Sequence, residues 1–244
     1  MMEKSLNEFE QRFRSLEENY KVIQNTIAEA AVKSGRDLKD ITLLAATKTV
    51  PVEVINHGIE LGIDHIGENR VQELCEKYPS YDLAHCELHF IGHLQTNKVK
   101  KLIGKVSMIQ SVDSVKLAEE ISRVSLSRNL TTDILVEVNI GKEENKSGVL
   151  PENLKDLIEQ IAVLPSLRTR GLMAIPPADT DEKETQGYFT KMHQYFVDIR
   201  AKNIDNVNME FLSMGMSSDY SLAILSGANM VRVGSALFGS RIYK

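Results

Sequence analysis

From residue 41 onward, short apolar runs alternate with longer stretches in which apolar side chains recur every three or four positions. The short runs fall at 41–47, 64–67, 88–91, 108–110, 133–140, 169–174, 209–213 and 230–233. They are rich in Val, Ile and Leu without strict alternation, which suits parallel strands covered by helices. Helices are expected between them near 51–61, 69–77, 95–103, 114–127, 151–163, 181–202 and 218–226. Pro51 opens the first of these and Gly62 closes it, the usual asymmetry of helix ends. Ahead of the first strand, Leu6, Phe9, Phe13, Leu16, Tyr20, Ile23, Ile27 and Ala31 keep helical spacing, and Gly35 ends the stretch. This predicts one amphipathic helix packed on the outside or base of the strand–helix repeats. Eight such repeats within about 250 residues define an α/β fold, a (β/α)8 TIM-type barrel. Residues 1–244 are expected to form a single domain, with residues 1–35 as an added N-terminal helix.

Composition narrows the function classes. The chain is 42% hydrophobic and 26% charged, ordinary for a globular domain, with a net charge of −5. The richest basic stretch, Lys98-Val99-Lys100-Lys101, lies on an expected helix and reads as a solvated face, so no nucleic acid partner is expected. No apolar run reaches the ~20 residues of a membrane span, and the first residues lack the apolar core of a signal peptide. Two cysteines, Cys75 and Cys86, are too few for a disulfide framework or a zinc site. A reducing cytoplasm is the expected location.

In a TIM-type barrel the working residues stand where strands end. Lys48 closes the first run, where lysine is otherwise depleted. A lysine in a partly dry mouth can lose its proton and attack an aldehyde. Opposite it, the seventh strand ends in Ser213-Met214-Gly215-Met216-Ser217-Ser218-Asp219, with Ser217 placed to cap the next helix. The eighth ends in Arg232-Val233-Gly234-Ser235-Ala236-Leu237-Phe238-Gly239. Two Gly/Ser loops at these strand ends match the usual phosphate site of such barrels. Arg232, a charge within an apolar strand, is expected to face a bound ring. A Schiff-base lysine across from a phosphate cradle suggests a pyridoxal phosphate (PLP) protein.

Other charged positions read more plainly. His89 and His93 span a strand end and a Gly loop, so they share no helix face and no metal is expected. Glu68 is expected to pair with a neighbouring base such as Arg70, and Lys146 to be exposed in its polar loop. The Met214-Gly215-Met216 run could flank a ligand, though methionine is more often core filler.

Several ordered motifs carry a wider likeness. They include Leu44-Ala45-Ala46-Thr47-Lys48-Thr49, Ile66-Gly67-Glu68-Asn69-Arg70-Val71-Gln72-Glu73, and His89-Phe90-Ile91-Gly92-His93-Leu94-Gln95-Thr96-Asn97-Lys98. Arg170-Gly171-Leu172-Met173-Ala174-Ile175-Pro176, Leu212-Ser213-Met214-Gly215-Met216-Ser217 and Val231-Arg232-Val233-Gly234 continue the series. On these the chain resembles the pyridoxal phosphate homeostasis protein family, whose members look like the barrel domain of alanine racemase standing alone. The resemblance implies Lys48 as the aldimine lysine and Ser217, Gly234 and Ser235 as the phosphate holders. It also implies Arg232 at the pyridine nitrogen and Asn69 in the pocket wall. The chain departs from many members in having Leu88 where they have Trp, and Val50 where they have a second lysine.

Two functions fit this reading. One is a carrier that buffers or delivers PLP, in the end to PLP-dependent apoenzymes, without substrate turnover and with no catalytic residue. The alternative is a small PLP-dependent amino-acid racemase. The barrel is expected to end near residue 240 without the second domain that the racemase resemblance implies, which favours the carrier. The resemblance also favours a monomer.

Overall fold

The computed structural model describes residues 2–239, with side chains from residue 9 onward. The side chain of Leu6 and residues 240–244, both within the expected domain, lie outside this description. Eight parallel strands close into a barrel in sequence order. They are β1 Thr42–Ala46, β2 His65–Glu68, β3 Glu87–Phe90, β4 Met108–Val112, β5 Thr132–Val138, β6 Leu167–Ala174, β7 Val207–Ser213 and β8 Met230–Val233. The seam closes with Leu44 of β1 beside Arg232 of β8. The helices are α1 Met2–Lys33, α2 Val52–Glu60, α3 Val71–Lys77, α4 Val99–Leu102 and α5 Val115–Ser127, then α6 Leu154–Ala162, α7 Glu182–Arg200, α8 Tyr220–Leu225 and α9 Ser235–Phe238. The expected helices near 95–103 and 151–163 both begin in 3-10 turns, Thr96–Lys98 and Pro151–Asn153.

Alternation along each strand separates two interiors. Outward-facing Ile66, Phe90, Ile109, Ile134, Val136, Leu172 and Val231 pack under the helices in the main core. Each such fully buried side chain contributes roughly 1.5–3 kcal/mol relative to exposure. Inside the barrel, Met108, Leu135 and Met173, with Phe211, form a small separate apolar plug. One strand pleat closer to the mouth the lining turns polar, with Gln110, Ser213 and Arg232 all buried.

The helix α1 lies outside the barrel, as expected, against α2, α8 and α9. Leu16, Ile23, Ile27, Ala30 and Ala31 are its buried stripe. It leads into the base of β1, so it runs antiparallel to that strand and its early turns rise to the mouth. Asn19 ties it there, its side-chain amide donating to the Leu237 carbonyl at 3.0 Å.

Candidate functional site

The mouth holds a cavity of about 960 Å³. Lys48, Asn69, Ser217, Arg232, Gly234 and Ser235 all line it, so the barrel gathers every one of the sequence-predicted site residues. Phe9 and Arg12 of α1, Glu137 after the plug, and Lys146 with Ser147 from the loop after β5 complete the wall. None of these five stands out in the sequence as a wall residue. Lys146 is exposed as expected, yet it borders the cavity. Met214 is fully buried core, whereas Met216 is 36% exposed and lies on the rim.

Lys48 stands two residues beyond β1, half-buried in a turn whose next residue, Thr49, has φ +64°. A β-branched residue in that region is strained by about 1–3 kcal/mol. Its neighbours hold it there. The Thr49 N–H donates to Glu73 Oε1 at 2.6 Å. Lys77, one turn further along α3, donates to the Thr47 carbonyl at 3.0 Å and meets Glu68 at 2.9 Å and Glu73 at 2.7 Å. The Thr47 hydroxyl and the Tyr81 hydroxyl both donate to Glu68 Oε1 at 2.8 Å. Burial first, and then the Glu68 carboxylate, push the Tyr81 phenol well above its ordinary range. Glu68 therefore does not pair with Arg70. Arg70 is exposed at the start of α3, and α3 instead returns Lys77 to the wholly buried Glu68. The result is a clasp behind Lys48, with its charges on the outer side of the strand and the lysine on the inner side.

The opposite wall is made largely of backbone. Ser217 does not cap the helix after β7, because α8 starts only at Tyr220 and Asp219 fills the turn by accepting from the Met216 N–H at 2.6 Å. Ser217 Oγ instead accepts from the N–H groups of Gly234 at 3.2 Å and Ala236 at 3.1 Å, in the first turn of α9. Ser235, at the start of α9, is exposed to the cavity.

Between the two walls lies Arg232, 4% exposed. Its Nη1 donates to Ser213 Oγ at 2.7 Å and its Nη2 to the Ala174 carbonyl at 3.0 Å. Burial lowers it to about 10 while Glu137 and Asp219 oppose the shift, so the guanidinium keeps its charge at neutral pH. Burial and Asp113 push Glu137 up to about 7, with Arg232 pulling the other way. Asn69 lines the cavity, while its Oδ1 is buried with no hydrogen-bond partner among the described residues. Gly92 lies against its backbone, where a Cβ would stand 2.1 Å from the Asn69 carbonyl oxygen.

His89 and His93 are separated, as the strand-and-loop reading predicts. His93 meets Ser147 at the rim at 3.0 Å. His89 is buried in the lumen, and its neighbours toward the base are His65 and Glu87.

Chemically, the site can hold a multiply charged anion at the α9 edge and present a primary amine across the cavity from it. The fold and this arrangement place the chain with the alanine racemase N-terminal domain, whose family matches residues 13–242. A pyridoxal phosphate homeostasis protein of Aquifex aeolicus is 45% identical over 217 residues, covering 89% of this chain and 94% of the relative. The structure of PipY from Synechococcus elongatus with PLP bound is 33% identical with a TM-score of 0.76, covering 87% of this chain and 100% of that one. Alanine racemase of Corynebacterium glutamicum shares the fold at 14% identity and a TM-score of 0.69, and this chain spans only 62% of its length. The chain belongs to the pyridoxal phosphate homeostasis protein family.

Proposed function

We propose that this protein binds pyridoxal 5'-phosphate as an aldimine on Lys48 and takes part in intracellular PLP homeostasis, buffering or delivering the cofactor without turning over a substrate. The observation that carries the reading is that Lys48 and the α9 edge face one cavity. The donor set fits the ligand. Ser217, Ser235 and the N–H groups around Gly234 hold the phosphate, where the helix start favours a dianion. Asn69 lines the pocket wall. Arg232 stands at the pyridine nitrogen as a donor only, so it leaves that nitrogen unprotonated and weakens the ring as an electron sink. The whole chain acts as one domain, a cytoplasmic monomer, and PLP-dependent apoenzymes are the recipients.

The carrier reading is supported by the Aquifex aeolicus relative, which is named a pyridoxal phosphate homeostasis protein. No helix of the described residues is long and apolar enough to cross a membrane.

The test is an absorption spectrum of the PLP-loaded protein before and after borohydride reduction, followed by peptide mapping. The pyridoxyl group should be recovered on Lys48, and Lys48→Ala should lose the aldimine band. Label mainly on Lys146 would overturn the assignment. A steady-state racemase or transaminase rate in pure protein, abolished by Lys48→Ala, would overturn the carrier reading.

A further inference from the structure

A second constellation lies at the other end of the barrel. In-register pairing of β2 with β3 sets His65 beside Glu87 and Gly67 beside His89. Residues two apart on a strand share a face, so His65, Glu87 and His89 all turn into the lumen at its base. One nitrogen from each histidine and a Glu87 carboxylate oxygen lie within 4.8 Å of one another. Glu87 Oε2 is 3.2 Å from His89 Nε2 and 3.9 Å from His65 Nε2. Ligand atoms around a tetrahedral ion with bonds of ~2.1 Å stand about 3.4 Å apart. Small swings of the half-exposed Glu87 would close that geometry.

The partners of the outer nitrogens make this more than a His–Glu contact. His65 Nδ1 meets Asp64 Oδ1 at 2.8 Å, so a proton on Nδ1 is held by a carboxylate and the Nε2 lone pair faces the cluster. His89 Nδ1 lies 2.8 Å from Gln110 Nε2, which also meets Met230 Sδ at 3.1 Å. The two ends of an amide exchange by rotation. With Gln110 presenting its oxygen, Nδ1 of His89 keeps the proton and its Nε2 lone pair also faces the cluster. The amide nitrogen then donates to Ser213 Oγ, 2.7 Å from the other end of the amide. Histidines held at the far nitrogen by a carboxylate and an amide have the outer-sphere support typical of metal ligands.

We propose that His65, Glu87 and His89 form a binding site for a divalent transition ion of the zinc class at the base of the barrel. Two imidazoles and a carboxylate are borderline ligands suited to Zn²⁺ rather than to Mg²⁺ or Ca²⁺. Three protein ligands leave a fourth position for water, and the 56% exposed Glu87 side chain marks the route to solvent. The ion pins the starts of β2 and β3 together. The proposal stands apart from the mouth and from PLP.

The experiment titrates the full-length protein with Zn²⁺ by calorimetry and with Co²⁺ by visible absorption, which reports four-coordinate geometry. Wild type should bind one ion, with the intense visible bands of tetrahedral Co²⁺ and a thermal midpoint that rises with Zn²⁺. His65→Gln and Glu87→Gln, both at partly exposed positions, should each abolish stoichiometric binding while keeping the wild-type circular dichroism. Asp64→Asn should weaken it by about 10- to 100-fold. His93→Ala, at the mouth, should leave it unchanged. Absence of binding in wild type, octahedral Co²⁺ only, or binding that survives the His65→Gln and Glu87→Gln double variant would overturn the proposal.

Discussion

The two edges of the barrel mouth are built from different materials. At the β1 edge the cavity is lined by the Lys48 side chain, and a network of Glu68, Glu73, Lys77 and Tyr81 braces the strained turn that carries it. At the β7–β8 edge the donors are backbone N–H groups of a four-residue helix, with two serines beside them. A reactive amine has to be aimed, and aiming a long flexible side chain takes buried charge behind its turn. An anion needs only convergent donors, which a helix start supplies without long side chains. The lysine edge should therefore fail through loss of order, and the anion edge through loss of affinity.

Breaking the brace should have the largest effect. Lys77→Met leaves Glu68 and Glu73 without their cation and should destabilise the fold by about 3–5 kcal/mol. Urea unfolding measures this, and in the PLP-loaded protein the covalent yield at Lys48 should fall with it. A variant as stable as wild type would show that the network is ornamental.

The anion edge is probed from the ligand side. Charge-assisted bonds are worth roughly 1.5–3 kcal/mol each, so losing two should weaken pyridoxal about 100-fold or more against its phosphate ester. Equal affinities in a direct titration would place the phosphate elsewhere.

Between the edges, Glu137 tests the electrostatics. Its carboxyl is raised from 4.5 to about 7. Below pH ~4.5 both folded and unfolded chains hold the proton, and between ~4.5 and ~7 only the folded chain does. Stability should therefore fall as pH rises through that window, by up to about 3 kcal/mol, and stay low above it. Glu137→Gln should flatten this slope in urea unfolding curves at pH 5 and pH 8.

The smallest effect is expected at Gly234. A Cβ there would stand 3.2 Å from the Ala46 carbonyl oxygen and 3.4 Å from its Cβ, tight but not prohibitive. Gly234→Val should shift α9 slightly and cost about tenfold in PLP affinity with the covalent link kept. Loss of the link as well would show that the two edges are not separable.

Much of this is legible in the sequence. Apolar runs mark each strand, and their ends deliver Lys48, Asn69, Ser217, Arg232, Gly234 and Ser235 to one cavity. The brace is hidden because Lys77 lies 30 residues from the Thr47 carbonyl it holds, and only the return of α3 brings it back. Its one local trace is Glu73 four residues before Lys77, which reads as an ordinary helix pair. Local pattern gives Ser217 to the wrong helix because α8 begins three residues after it, and only the fold sets it beside α9. The contribution of Phe9 and Arg12 is available in principle. A helix leading into the base of β1 must begin near the mouth, but the spacing that predicts a helix says nothing of its direction. His65 and His89 need the β2–β3 register, which period alone does not supply.

The double acceptance by Ser217 Oγ has a consequence for reversibility. The N–H groups of Gly234 and Ala236 already have a partner within the protein. An arriving phosphate therefore exchanges with that hydroxyl, or joins it, instead of rescuing orphaned donors, and a departing one leaves no unsatisfied group behind. Such an edge trades peak affinity for ease of unloading, and under the carrier function proposed above a shallow well serves better than a deep one.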